Sequence, residues 1–89
     1  MIKKQVTIIN KLGLHARAAA KFVTMASQFE SKIQIARDHQ EVNGKSIMGV
    51  MMLAASQGTD IIISVAGPDE EEALAELEKL IADRFQEGE

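Results

Sequence analysis

Apolar positions along this 89-residue chain change their period several times, and each change marks an element. Residues 2–9 alternate, with Val6 and Ile8 on one face and β-branched residues that favour a strand. Residues 16–27 switch to a helical 3–4 spacing, with Ala19, Phe22, Val23 and Ala26 facing inward. Ile33 and Ile35 alternate in a second strand, which turns at Arg37-Asp38-His39-Gln40 into a short third strand ending near Val42. Asn43-Gly44 is a turn signal, and Ser46 opens a short helix through about Leu53. Gln57-Gly58 breaks the chain before Ile61-Ile62-Ile63-Ser64-Val65, the fourth and most apolar strand. Gly67-Pro68-Asp69 starts the last helix, where Asp69 with Glu72 matches a capping box. Ala73, Leu74, Leu77, Leu80, Ile81 and Phe85 form its buried stripe.

The order βαββαβα in so short a chain predicts an α+β, open-faced sandwich with helices covering one side of a sheet. Periodicity leaves the strand order open. The length predicts one small domain over residues 1–89, with a modest core and a net stability of about 5–10 kcal/mol. Three Phe and no Trp or Tyr make that core aliphatic.

Charge changes this picture in one respect. Residues 1–50 hold eight Lys/Arg against three Asp/Glu, whereas residues 51–89 hold two against ten. The basic half favours acidic partners or phosphate. A nucleic-acid binder would more often show an overall basic balance or stacking aromatics, so nucleic acid is not expected. The absence of cysteine excludes disulfides and thiol chemistry, and it fits a reducing compartment. Met1-Ile2-Lys3-Lys4 leads straight into a strand pattern with no signal-peptide apolar region. The longest nearly unbroken apolar run, Ile47 to Ala55, is too short to cross a bilayer. A cytoplasmic protein without a membrane partner is the expectation.

Candidate chemistry concentrates at the start of the first helix, in Gly13-Leu14-His15-Ala16-Arg17. Gly13 permits a sharp turn, so His15 falls about where the helix opens. Unpaired N–H groups and the positive end of the helix dipole make that opening an anion site. Arg17 adds a fixed positive charge, and a histidine of ordinary pKa near ~6.5 is largely neutral and nucleophilic at cytoplasmic pH. The arrangement points to a phosphohistidine. His15 would carry the phosphoryl group, Arg17 would orient it, and the Ala16 and Arg17 N–H groups would hold its oxygens. Partial exposure of the ring is expected, because a carrier must release what it takes up. A lone histidine near a helix start also has a bland reading, as an exposed or capping residue. A metal site is disfavoured: His39 falls in a hairpin turn, and no carboxylate lies nearby in sequence.

Two motifs carry a family resemblance. The run Gly13-Leu14-His15-Ala16-Arg17 followed by small residues resembles the active centre of HPr, the histidine-containing phosphocarrier of bacterial phosphotransferase systems. The stretch Asn43-Gly44-Lys45-Ser46-Ile47-Met48-Gly49-Val50-Met51 is similar to the regulatory serine region of that family. The resemblance implies a four-stranded antiparallel sheet ordered 1-4-2-3 with three helices on one face. It implies that His15 accepts phosphate from enzyme I and passes it to IIA domains, with no cofactor. It also implies a stoichiometric carrier more than an enzyme, and a monomer is the default for a diffusing shuttle. The chain departs from the pattern at Ala18, where most members carry proline. Alanine is a good helix former and keeps its N–H, so a slightly less rigid first turn with retained chemistry is expected. The nitrogen-related paralogue of HPr, in a regulatory phosphorelay, and a non-covalent interaction module are the alternatives.

Ser46 reads from spacing alone as the N-cap of the short helix. The resemblance adds regulatory phosphorylation by HPr kinase/phosphorylase. Ile47, Met48, Met51 and Met52 crowd that helix more than a small core requires, so some of them should form an exposed apolar patch. With Ala16, Ala20, Lys21 and Thr24, the residues Ile47, Met48 and Met51 are expected to encircle the active centre as a partner surface. The acidic run Asp69-Glu70-Glu71-Glu72 is explained by its place in the first turn of a helix.

Overall fold

Four antiparallel strands and three helices make up the computed structural model, which describes residues 1–87. In chain order these are β1 (Ile2–Thr7), α1 (Ala16–Ala26), β2 (Lys32–Arg37), β3 (Gln40–Asn43), α2 (Ile47–Met52), β4 (Asp60–Ala66) and α3 (Glu70–Ala82). The sheet runs β1-β4-β2-β3, the order implied by the resemblance. The register pairs Lys4 with Ile63 and Ile63 with Ile35, which centres the apolar β4 between its neighbours. Alternation then turns Ile33, Ile35, Ile61, Ile63 and Val65 inward, all essentially buried, while Ile62 faces outward and is 42% exposed. The helices close over the inner face: α3 packs on β1 and β4, and α1 packs between α2 and α3.

The edges of this framework are tied by polar contacts. Lys4, at the edge strand, reaches Glu78 of α3 at 2.8 Å. A two-residue loop, Asp38-His39, joins β2 to β3 with Asp38 in the left-handed region at φ +55°. Arg37 beside it donates to the carbonyls of Leu53 and Ala54, both at 2.8 Å. Those carbonyls lie at the C-terminal end of α2, where helix geometry leaves acceptors unpaired and favours a cation.

Three expectations from the pattern change in the structure. The ladder of β1 stops at Thr7, and Ile8 continues as a buried connection, exchanging main-chain bonds with Thr59 (2.9 Å) and Gly58 (2.7 Å). β3 runs one residue past Val42, and α1 ends at Ala26 with Ser27 as its cap.

The capping box at Asp69 and Glu72 does not form. Asp69 is the N-cap residue, but its carboxylate turns away from its own helix. It accepts from the Ser31 hydroxyl and the main-chain N–H groups of Glu30 (2.9 Å) and Ser31 (3.0 Å). Glu70 reaches back instead, accepting from the Gly67 N–H at 3.2 Å. The reason is tertiary: Gly67, at φ +153°, lies so close to Ser31 that an added Cβ would sit 2.6 Å from the Ser31 Cα. The turn into α1's neighbouring strand therefore presents its donors to Asp69, and three donors outweigh one local cap.

Phe85 is buried as expected, but not on α3. The helix ends at Ala82, and Arg84, Phe85 and Gln86 form a short left-handed turn at φ +52°, +54° and +64°. Such backbone costs about 1–2 kcal/mol per residue. Full burial of the Phe85 ring and a 2.6 Å bond from the Lys21 ammonium to the Phe85 carbonyl oppose that cost.

The Ser31 hydroxyl, with the Glu30 and Ser31 amides, holds the Asp69 carboxyl below its ordinary value of 3.8. Its contribution to stability is therefore fully present above that value and lost as pH falls through the lowered one. Thermal denaturation from pH 6 to 2 is expected to show a shallower acid loss of Tm for Asp69→Asn than for the parent. Parallel curves would show that these bonds do not stabilise the fold.

Candidate functional site

The loop before α1 is fixed by main-chain geometry that only glycine allows. Gly13 sits at φ +66°, and a Cβ there would lie 2.4 Å from the Ala55 carbonyl oxygen. That carbonyl accepts from the Leu14 N–H at 2.8 Å, and the Leu14 side chain is buried beneath. Asn10, wholly buried, closes the loop from the other side by donating to the Gly13 carbonyl at 2.8 Å. The chain thus leaves Leu14 in one direction, and the next residue is the N-cap of α1.

That residue is His15, extended at φ −73° and ψ 176°. Its carbonyl takes the first helical bond, from the Ala19 N–H at 2.8 Å. The N–H groups of Ala16, Arg17 and Ala18 precede that bond and have no helical acceptor behind them. Four alanines at 16 and 18–20 make a strong helix start with little side-chain bulk around it. Ala18, in the first turn, is buried, and sequence periodicity did not place it in the core. The His15 side chain does not cap the helix; it stays 27% exposed at the surface.

Cationic side chains line a cleft near the opening of α1. Arg17 is exposed, with no hydrogen bond or ion pair among the described residues, so its guanidinium can meet an incoming anion. Lys11, Leu12, Arg17, Lys21, Gln86 and Glu87 line a shallow cleft beside it. Glu87 is the residue that sequence reasoning missed. Its carboxylate engages His15 Nε2 and accepts from the Asn10 amide at 3.0 Å. Partial burial would raise the Glu87 carboxyl, but the Asn10 and His15 bonds and the charges of His15 and Lys21 outweigh it and hold the group below its ordinary value. Seventy-two positions separate Glu87 from His15, and no local spacing could have joined them.

The sequence and the fold match those of known proteins. A family model described as "PTS HPr component phosphorylation site" matches residues 2–83. The phosphocarrier protein HPr of Cupriavidus necator is 53% identical over the whole of both chains. That of Neisseria meningitidis serogroup A is 54% identical, again over both full lengths. The crystal structure of HPr-C-His from Thermoanaerobacter tengcongensis superposes with a TM-score of 0.94 at 49% identity, covering 98% of each chain. The chain belongs to the HPr family. It is a phosphocarrier of the phosphotransferase system, and its antiparallel sheet and three helices are the fold of HPr structures.

The second HPr-like motif lies on α2. Ser46 is its N-cap, and the hydroxyl accepts from the Gly49 N–H at 3.1 Å. The adjoining Lys45 is committed elsewhere, to the Phe29 carbonyl at 2.6 Å. Val50 and Leu53 are buried, whereas Ile47, Met48, Met51 and Met52 are 44%, 71%, 39% and 63% exposed. On α1, Ala16 and Thr24 are exposed, and Ala20 and Lys21 are half-buried. Since α1 packs on α2, both apolar and cationic side chains of this HPr-family chain reach solvent from adjacent helices.

Other candidates fall away from the site. His39 is an exposed hairpin residue, and the described residues include no cluster of three or more groups able to hold a metal. Glu70, Glu71 and Glu72 occupy the first turn of α3, where the dipole favours them, and Glu70 also pairs with the N-terminal amine at 3.3 Å. No helix among the described residues is long and apolar enough to cross a membrane.

Replacing Gly13 by alanine would force a left-handed non-glycine residue against the Ala55 carbonyl. Chemical denaturation is expected to show a loss of about 2–4 kcal/mol. An unchanged midpoint would mean that the loop before His15 is not fixed by this contact.

Proposed function

We propose that this chain, acting as a single HPr domain, takes a phosphoryl group from enzyme I on His15 and hands it to IIA domains. The observation that carries the reading is the partly exposed imidazole at the opening of α1, beside unpaired N–H groups and the uncommitted Arg17 guanidinium. Each group has a distinct task. A ring nitrogen forms the bond to phosphorus as the bond from phosphorus to the donor breaks, its electron pair leaving with the donor, and the Ala16 and Arg17 N–H groups with the Arg17 side chain neutralise the phosphoryl oxygens. None of these donors encloses the phosphoryl group. A second nucleophile can therefore approach it from solvent, which suits a carrier.

Docking falls to the exposed face of α1 and α2. Ala16, Ala20, Lys21, Thr24, Ile47, Met48 and Met51 form an apolar patch with cationic members next to His15. Flexible methionines adapt to unlike partners, and Lys21 with Arg17 favours acidic ones. The carrier works as a cytoplasmic monomer in this reading, because a second copy seated on that face would compete with every partner.

Ser46 supplies regulation in the same surface. Phosphorylation there by HPr kinase/phosphorylase would set about two negative charges at the opening of α2, among the docking methionines. Those charges would repel an acidic partner face without unfolding the cap that Ser46 already makes.

With enzyme I and phosphoenolpyruvate, the parent is expected to gain one acid-labile phosphoryl group, and His15→Ala none, by intact mass. A phosphorylated His15→Ala protein would defeat the reading. Ser46→Asp should accept phosphate from enzyme I about tenfold more slowly or worse. Equal rates for Ser46→Asp and parent would remove Ser46 from control of docking.

A further inference from the structure

The chain has five methionines and no cysteine, so thioethers are its only sulfur groups, and three of the five fall on α2. That helix contains no ionisable residue. Val50 and Leu53 are buried, and Gly49 packs so near β3 that an added Cβ would lie 3.3 Å from the Val42 Cβ. The helix is thus seated by one face. Met48, Met51 and Met52, spaced at i, i+3 and i+4, share the other and are exposed, Met48 and Met52 most of all. Met25 differs, being partly buried against the core. Met1 is exposed too, but it lies on neither α1 nor α2, and its amine pairs with Glu70 of α3.

We propose that Met48, Met51 and Met52 form an oxidation site, at which hydroperoxides convert the thioethers to sulfoxides and weaken docking, an inference that rests on the docking face described above. In the step, a sulfur lone pair attacks the hydroxyl oxygen of the hydroperoxide, and the S–O bond forms as the O–O bond breaks. The departing oxygen takes the hydroxyl proton and leaves as water or an alcohol. Sulfur loses two electrons and the peroxide gains them. Return takes two electrons from a dithiol, which becomes a disulfide while the sulfoxide oxygen leaves as water. This chain holds no thiol, so the electrons come from a separate thiol-dependent reductase. Each sulfoxide oxygen is a strong acceptor on a face built from apolar side chains. Seated under a partner, it would lose its water without gaining a donor. The fold tolerates the change, because the oxidised groups face solvent while Val50 and Leu53 hold the helix.

Hydrogen peroxide treatment of the full-length chain, followed by peptide mass mapping, is expected to oxidise the three α2 methionines before Met25, with circular dichroism and Tm unchanged. The oxidised chain should then accept phosphate from enzyme I roughly tenfold more slowly than the untreated chain. Incubation with a methionine sulfoxide reductase and dithiothreitol should restore the rate. The triple variant Met48→Leu, Met51→Leu and Met52→Leu keeps Met1 and Met25, and after peroxide it should retain its own untreated rate. Met25 oxidised as fast as the α2 methionines would overturn the proposal. So would a chain carrying all three α2 sulfoxides that transfers at its untreated rate, or a triple variant that loses as much as the parent. Untreated Met48→Asp separates this site from the reading it rests on. A rate equal to the parent's would count against the docking face itself, whereas a slow Met48→Asp beside a fast sulfoxide protein would count against the oxidation site alone.

Discussion

The opening of α1 is where the fold concentrates unpaired main-chain donors, and everything else in the site is arranged around them. Three N–H groups come before the first helical bond, which runs from Ala19 to the His15 carbonyl. Those of Ala16 and Arg17, on exposed residues, are a standing attraction for anions. Their direction is set by Gly13, which is pressed against the Ala55 carbonyl in a conformation that a side chain would forbid. The sheet and the buried faces of α1 and α3 keep that contact in place. Stability of the core and position of the donors are therefore one problem, solved by the same packing.

Small proteins that hand a group between partners face a conflict between binding and release. Strong enclosure would hold the phosphoryl group and stop the relay. Here the donors are main-chain groups on a short, alanine-rich turn, and the Arg17 guanidinium beside them is exposed to solvent. Electrostatic attraction is thereby shared among many weak contributors at the surface, where solvent screens each one. The exposed methionines of α2 follow the same logic in the proposed docking role, since a partner could seat on them without a fixed set of hydrogen bonds.

Much of this was legible in the chain. The apolar run Ile61–Val65 and the stripe from Ala73 to Ile81 place strand and helix, the stripe because its period and its burial agree. The place of His15 at a helix opening was legible from its own neighbours, since a glycine before and alanines after are local signals for one. Ser46 was equally local, its hydroxyl capping α2 through Gly49. The failures share a cause. Asp69 carries the sequence signs of a cap, yet its carboxylate serves Glu30 and Ser31, thirty-eight or more positions away. Phe85 fits the helical stripe, yet the chain reverses hand before it arrives. Glu87 meets His15 only because that reversal occurs. Local pattern reports what neighbours in the chain prefer, and each of these residues is governed by neighbours in space.

The central claim is that the α1 opening receives the phosphoryl group. Amide ¹H–¹⁵N spectra of the protein before and after phosphorylation by enzyme I and phosphoenolpyruvate test it most directly. Hydrogen bonding to the new oxygens should move the Ala16 and Arg17 amide protons downfield more than any others, with β3 and the far end of α3 unchanged. A phosphorylated protein whose largest amide shifts lie away from residues 15–18 would contradict the account.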